Sequence, residues 1–329
     1  MDRKSTGIYM LPPSEFTGVE RALWAEEQGF DSLWIPDGAG KMHSLTLAGG
    51  LAAKTSSIRI GIGVVPVYTH TPAVLASAAL TLSHLAPGRV VLGIGASSHT
   101  MIESWHGLPF EKPLTRVRET AQVLRRMLDG ERVDYAGKTL STKGFKLMPT
   151  PNEHIPIYLA ALRPKMLELA GEIGDGVILH LAPLRALPKM LEHVARGAER
   201  SGRSLADLEI VCRFNTIVSD TREAGIEASR QFIQMYYTTP VYNEFLAWCG
   251  FEKQAALFME GFQARDRAKT RAALDDELVS ELCILGDAKE CREQTAAFHA
   301  AGINTAAINA FAEDAERASR TMAAFSPSA

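Results

Sequence analysis

The chain has 329 residues, 46% of them apolar and 22% charged, and its 35 Lys plus Arg against 38 Asp plus Glu leave a net charge of −3. That composition supplies a sizeable soluble core, enough for one large barrel or two average domains, and gives no electrostatic reason to expect nucleic acid or an anionic membrane surface as a partner. Four cysteines without C-x-x-C spacing, an N-terminus (MDRKSTGIYMLPPS) with no apolar core, and no run of about 18 apolar residues predict reduced thiols, no metal site, no secretory signal and no membrane helix in a cytoplasmic protein.

Strand-like and helical patterns alternate from the start. Residues 7–11 read as a strand and 15–28 as a helix with Phe16, Val19 and Leu23 on one face. Gly29 caps that helix before a second strand at 32–35. A helix at 44–54 leads to a third strand, 58–65, whose wholly apolar run suits a parallel strand covered on both faces. The next helix, 71–85, opens with Thr71 as N-cap and Pro72 at the first helical position, and repeats Val74, Ala78, Leu82 and Leu85. The fourth strand is 90–94. Both of these strands end in glycines, Gly61 and Gly63 in one, Gly93 and Gly95 in the other. Glycine weakens a strand unless something must approach the backbone closely, so a ligand is expected at these strand ends.

Residues 97–113 read as loop, 116–128 as helix, and 133–147 as a hairpin turning near Gly137 and Gly144. Strands at 157–160, 177–180 and 208–218 then alternate with helices at 164–173 and 187–201. Residues 221–282 form a helical insertion rich in aromatics between Phe232 and Phe262, and a helix at 291–301 and a strand at 305–310 complete the pattern. Eight such units without a domain-scale linker predict a parallel sheet. At this length the α/β fold expected is one (β/α)₈ TIM-barrel domain over 1–329, with insertions after strands 4 and 7. A doubly wound open sheet competes, but no G-x-G-x-x-G follows the first strand, which runs into Pro12-Pro13.

Five segments, in this order, resemble the luciferase-like flavin and deazaflavin oxidoreductases: GFDSLWIPD (29–37), YTHTPAVLA (68–76), APGRVVLGIGAS (86–97), IPIYLAALRPKMLELAGEIGDGVILH (155–180) and AGINTAAI (301–308). The likeness runs over nearly the whole chain and points to the coenzyme F420-dependent branch, which includes methylenetetrahydromethanopterin reductases and related dehydrogenases. It implies a barrel, commonly a homodimer, that binds an isoalloxazine or deazaflavin ring at its C-terminal mouth.

The resemblance also implies roles for single residues. Gly63-Val64 matches the place of a non-prolyl cis peptide that presses on the back face of the ring. Asp37, at the end of the second strand, contacts the ring side and is the first catalytic candidate, against a role in capping the following turn. Many relatives follow this aspartate with histidine, where this chain has Gly38. Gly95, Ala96 and Ser97 match small residues laid against the cofactor. Where some relatives continue with glutamate, this chain has Ser98 and His99, so His99 is the candidate proton donor, against a solvated loop histidine. Ala161, Leu162 and Arg163, leading into a helix at Pro164, match the segment that binds the cofactor phosphate, which usually has glycine at 162 or 163. His180, Leu181 and Ala182 complete that cradle. His70 is a candidate for the wall of the substrate pocket and Trp105 for its roof, both against surface roles, and the aromatic insertion is a lid, a core or a dimer contact.

The function expected is hydride transfer between F420 and a small organic substrate. FMN-dependent monooxygenation with O₂ is the alternative in the same fold, and a non-catalytic flavin-binding barrel is a third.

Overall fold

The computed structural model describes residues 4–10, 18–38, 42–311 and 315–328. Strands Ser5–Tyr9 (β1), Ser32–Ile35 (β2), Arg59–Pro66 (β3) and Val90–Gly95 (β4) alternate with helices Gly18–Glu27 (α1), Ser44–Lys54 (α2) and Pro72–Leu85 (α3). A π-helical turn at Thr100–Trp105, helix Pro113–Leu128 (α4) and the antiparallel hairpin of Val133–Ala136 (β5) and Ser141–Phe145 (β6) precede strand Ile157–Ala160 (β7). Helix Pro164–Ile173 (α5), strand Gly176–His180 (β8), helix Leu187–Arg200 (α6) and the long strand Glu209–Val218 (β9) follow. Five helices make the insertion: Arg222–Tyr237 (α7), Pro240–Trp248 (α8), Glu252–Gln263 (α9), Arg267–Ala272 (α10) and Asp276–Leu282 (α11). Strand Cys283–Gly286 (β10), helix Ala288–Ala300 (α12), strand Thr305–Ala310 (β11) and helix Ala315–Ala323 (α13) end the fold.

The ring runs β1, β2, β3, β4, β7, β8, β9, β11 and back to β1, every pairing parallel. Of the nine strands in the sheet, only β10 lies outside the ring, so eight strands close a TIM barrel. β10 pairs with the far end of β9, Cys283 opposite Asn215. The expected strands are those of the ring. β10 escaped because four residues directly after a helix carry too little pattern, and α13 lay beyond the last unit recognised.

Local signals act as expected at α3, where Thr71 Oγ1 accepts the Val74 N–H at 3.3 Å ahead of Pro72. The helix stripes do so only in part, with Leu82 buried and Val19 packed against the core. Leu23 is 42% exposed and Val74 51% exposed, while Ala22 and Ala25 of α1 and Leu75, Ala76 and Ala79 of α3 are buried. Helices laid on a barrel bury small residues where the backbones approach closely, and alanine carries a weak periodic signal. Leu11, Phe16 and the expected helix start at 15–17 lie outside the described residues. The stretch 97–113, expected as loop, contains the π-helical turn.

Period-two alternation turns Tyr9, Trp34, Val91, Tyr158, Ile178, Val211 and Ala307 into the barrel, where they pack as one cluster with Val64 against them. At the N-terminal end, Glu209 takes both Arg59 nitrogens (2.7 and 2.5 Å), the Tyr158 hydroxyl (2.6 Å) and the Thr305 hydroxyl (2.5 Å). A carboxylate buried at that depth is tolerable only with such partners. The C-terminal strand ends form the opposite rim.

Candidate active site

On one side of the rim the strands are stripped to backbone. The Gly63–Val64 peptide is cis, and the β3–β4 register shifts between Ile62 and Val65. A Cβ on Gly93 would stand 2.1 Å from the Ile62 carbonyl oxygen, and one on Gly95 2.9 Å from Val64 Cγ2 and 3.1 Å from Ala160 Cβ. A side chain at 93 would strike fixed backbone and one at 95 would press on Val64 and Ala160, so with glycine at both places β3, β4 and β7 present a shallow floor with Val64 above it. The Tyr9 hydroxyl donates to the Gly63 carbonyl at 2.5 Å. Immediately after β4, Ser97 has φ +67°, which non-glycine residues seldom adopt. Its hydroxyl faces Met101 Sδ at 3.4 Å, and the Met101 methyl lies 3.2 Å from where a Cβ on Gly38 would be.

Asp37 follows β2 and accepts the Ser44 N–H at 3.2 Å, so it also holds the start of α2. His70, half-buried after β3, feels the Asp37 charge, and its Nε2 lies 3.4 Å from that of His43. His99 and Trp105 stand apart from this group. His99 is well exposed and bonded to Glu103 at 2.8 Å on its own turn, and Trp105 is 59% exposed.

The other side of the rim is rich in donors. Along β9 the inward positions are Glu209, Val211, Arg213 and Asn215, with Asn215 receiving a hydrogen bond from Asn309 of β11 at 2.9 Å. The Arg213 guanidinium lies over the Tyr9 ring at 4.3 Å and pairs in register with His180 of β8. His180 Nε2, Arg213 Nε and Arg213 Nη2 are buried and make no hydrogen bond among the described residues. Burial, with the Arg213 charge adding to it, pushes the His180 pKa well below its ordinary value. Burial raises the pKa of the Tyr9 and Tyr242 phenols, so both remain protonated. Orphaned donors in a dry site cost free energy that an acceptor-rich ligand would recover.

Next to His180, Leu181 has φ +52°, a second constrained residue on the rim, and Ala182 follows it, buried. The Ala161 N–H is bonded to the Ile178 carbonyl at 3.1 Å, and Leu162 is partly buried against the core. Arg163 precedes α5, and its guanidinium pairs with Glu244 of α8. The insertion thus reaches the rim. Tyr236 and Tyr242 pack on His180 with ring centroids at 4.9 and 6.2 Å. Tyr237, Phe245, Phe251 and Phe258 are instead fully buried, so the aromatic run divides between a cover over His180 and a core of its own.

Tyr9, Arg213, Asn215, Asn309 and His43 were not singled out from the sequence. For Arg213 a signal existed: it is the one charge within IVCRFNTIV, an otherwise mostly apolar strand. Among the described residues, no group of three or more His, Cys, Asp or Glu is placed to hold a metal ion, and no helix is long and apolar enough to cross a membrane.

A family model described as luciferase-like monooxygenase matches residues 15–305. The 5,10-methylenetetrahydromethanopterin reductase of Archaeoglobus fulgidus is 35% identical over 225 residues, 68% of this chain and 67% of that protein. The F420-dependent glucose-6-phosphate dehydrogenase of Rhodococcus erythropolis is 28% identical over 319 residues, 91% of this chain and 89% of that protein. Among solved structures, the coenzyme F420-dependent tetrahydromethanopterin reductase of Methanopyrus kandleri superposes with a TM-score of 0.81 at 24% identity over 98% of both chains, a likeness of fold.

Proposed function

The chain belongs to the luciferase-like monooxygenase family, and from that premise we propose that it is an F420-dependent oxidoreductase that exchanges a hydride between the deazaflavin and a small organic substrate. The observation that carries this reading is the two-sided rim. A backbone floor at Gly93 and Gly95 faces unpartnered buried nitrogens at Arg213 and His180, which suits a flat ring with one apolar face and a polar edge.

The residues present fit such a group. Val64, Gly95, Ala96 and Ser97 would lie against the ring, with Gly63 held from behind by Tyr9. Arg213 and His180 would bond its acceptor edge, and Asp37 would stand at its side. Ala161, Leu162, Arg163, Leu181 and Ala182 would receive the phosphate, with Arg163 exchanging Glu244 for it. The cofactor, when bound, supplies the hydride-carrying carbon. Tyr236 and Tyr242 exclude water above His180, which favours hydride chemistry over hydrolysis or leakage.

Fluorescence titration of the purified protein with F420 and with FMN tests the reading. Micromolar binding of F420 with negligible binding of FMN supports it. The reverse would favour the flavin monooxygenase, and binding of neither would favour a barrel without redox function.

A further inference from the structure

Two histidines from different elements meet on the rim beside Asp37: His43 at the start of α2 and His70 in the turn between β3 and α3, with Nε2 atoms 3.4 Å apart and ring centroids 5.6 Å apart. The neighbours of their other nitrogens assign the tautomers. A backbone N–H can only donate, and that of Thr46 lies 3.3 Å from His43 Nδ1, with the Thr46 hydroxyl, which can donate as well, at 3.0 Å. His43 Nδ1 therefore carries a lone pair, and the proton of neutral His43 sits on Nε2. On the second ring, Thr69 Oγ1 gives its proton to the Pro66 carbonyl at 3.1 Å and so accepts from His70 Nδ1 at 3.0 Å. Neutral His70 is thus protonated on Nδ1 and offers the lone pair of Nε2. The two assignments agree: His43 Nε2–H points at the His70 Nε2 lone pair.

That contact is longer than the usual range of about 2.7–3.2 Å, so a substrate hydroxyl can replace it at small cost. The three ionisable groups that act on His70 are Asp37, His43 and His106. Burial lowers the His70 pKa, His43 and His106 add to that, and Asp37 and the Pro66 carbonyl oppose it without reversing it, so His70 stays neutral and able to accept a proton near pH 7. Gly38 itself brings no competing side chain, and the Met101 methyl lies 3.2 Å from where a Cβ there would be.

We propose that His70 is the proton-exchanging residue of this mouth, its Nε2 receiving or returning the proton of a substrate hydroxyl, with His43 as a positioning residue and Asp37 stabilising the imidazolium. This rests on the oxidoreductase reading above. In the oxidative direction the carbinol C–H pair leaves as hydride to the redox coenzyme and the O–H pair becomes the second bond of the carbonyl. The released proton ends on His70 Nε2, and the reduction runs the same steps backwards.

The test is long-range ¹H–¹⁵N spectroscopy of the full chain labelled at histidine, with and without F420. The expected tautomers are Nε2–H for His43 and Nδ1–H for His70, and added F420 shifts the His70 Nε2 resonance. In His43→Asn, whose side chain still accepts the Thr46 N–H and so keeps the α2 cap, the His70 midpoint rises while melting temperature is held. Nε2–H tautomers on both rings, or a His70 midpoint indifferent to His43→Asn, would overturn the relay. F420 that binds without moving the His70 resonance would overturn its place at the reacting centre. Failure of F420 to bind, with the tautomers as stated, would remove the oxidoreductase reading and with it the role given to His70.

Discussion

The Tyr9 hydroxyl donates to the Gly63 carbonyl oxygen at 2.5 Å across 54 residues of sequence, and the same ring carries the Arg213 guanidinium at 4.3 Å on its face. One side chain therefore ties the backbone floor of the mouth to its donor side. Tyr9→Phe leaves a buried carbonyl without its donor and is expected to cost about 1–3 kcal/mol of stability. It also weakens F420 binding several-fold. Denaturant unfolding and fluorescence titration check the two effects.

Arg213→Met separates binding from folding. Two of its buried nitrogens have no partner while the guanidinium lies on the Tyr9 ring, so the gain and loss on removal offset each other and stability is expected to change by no more than about 1 kcal/mol. The lost charge-assisted hydrogen bonds, about 1.5–3 kcal/mol, weaken F420 binding roughly 10- to 150-fold. A variant that unfolds while binding survives would contradict the assignment.

Glu209→Gln is expected to do the opposite. It leaves Arg59 without its carboxylate at the far end of the barrel, and costs about 3 kcal/mol, the low end for such a pair because Arg59 is partly exposed. Affinity for F420 measured below the unfolding midpoint stays within about twofold, since Val211 and Arg213 separate Glu209 from the mouth along β9.

His180 makes stability depend on pH. Its pKa is lowered by folding, so between the folded value and about 6.5 the unfolded chain binds more protons than the native one. Stability therefore rises with pH through that window, is complete above about 6.5, and falls on acidification. His180→Asn flattens this part of the profile, as equilibrium unfolding between pH 5 and 8 would record. His70 and His299, also lowered by burial, keep a residual slope.

Gly95→Ala and Gly93→Ala differ in what they strike. At Gly93 the added methyl meets the Ile62 carbonyl oxygen, which the sheet holds in place, and the expected loss is about 3 kcal/mol. At Gly95 the neighbours are the side chains of Val64 and Ala160. That variant folds but weakens F420 binding, which parallel melting and titration would show.

Much of this arrangement was legible in the residues. The apolar runs at 58–65 and 90–94 announced strands covered on both faces, and their glycines marked where the floor lies. The donor side was harder to see, because the inward phase of β9 is known only once the ring closes and sets Arg213 against Tyr9. His43 was hidden for a related reason: its partner is brought to it by the turn after Pro66, which no local pattern encodes. The stripes proposed for α1 and α3 failed where alanines, rather than Leu23 and Val74, meet the barrel.

A crystal structure of the protein with F420 measures the central claim most directly. The account predicts the deazaflavin across the mouth, one face on Val64 and Gly95, its oxygens at Arg213 and His180, and its phosphate between residues 161–163 and 181–182. Density for the ring anywhere else, or a mouth closed by Tyr236 and Tyr242 with F420 bound outside it, would contradict the account.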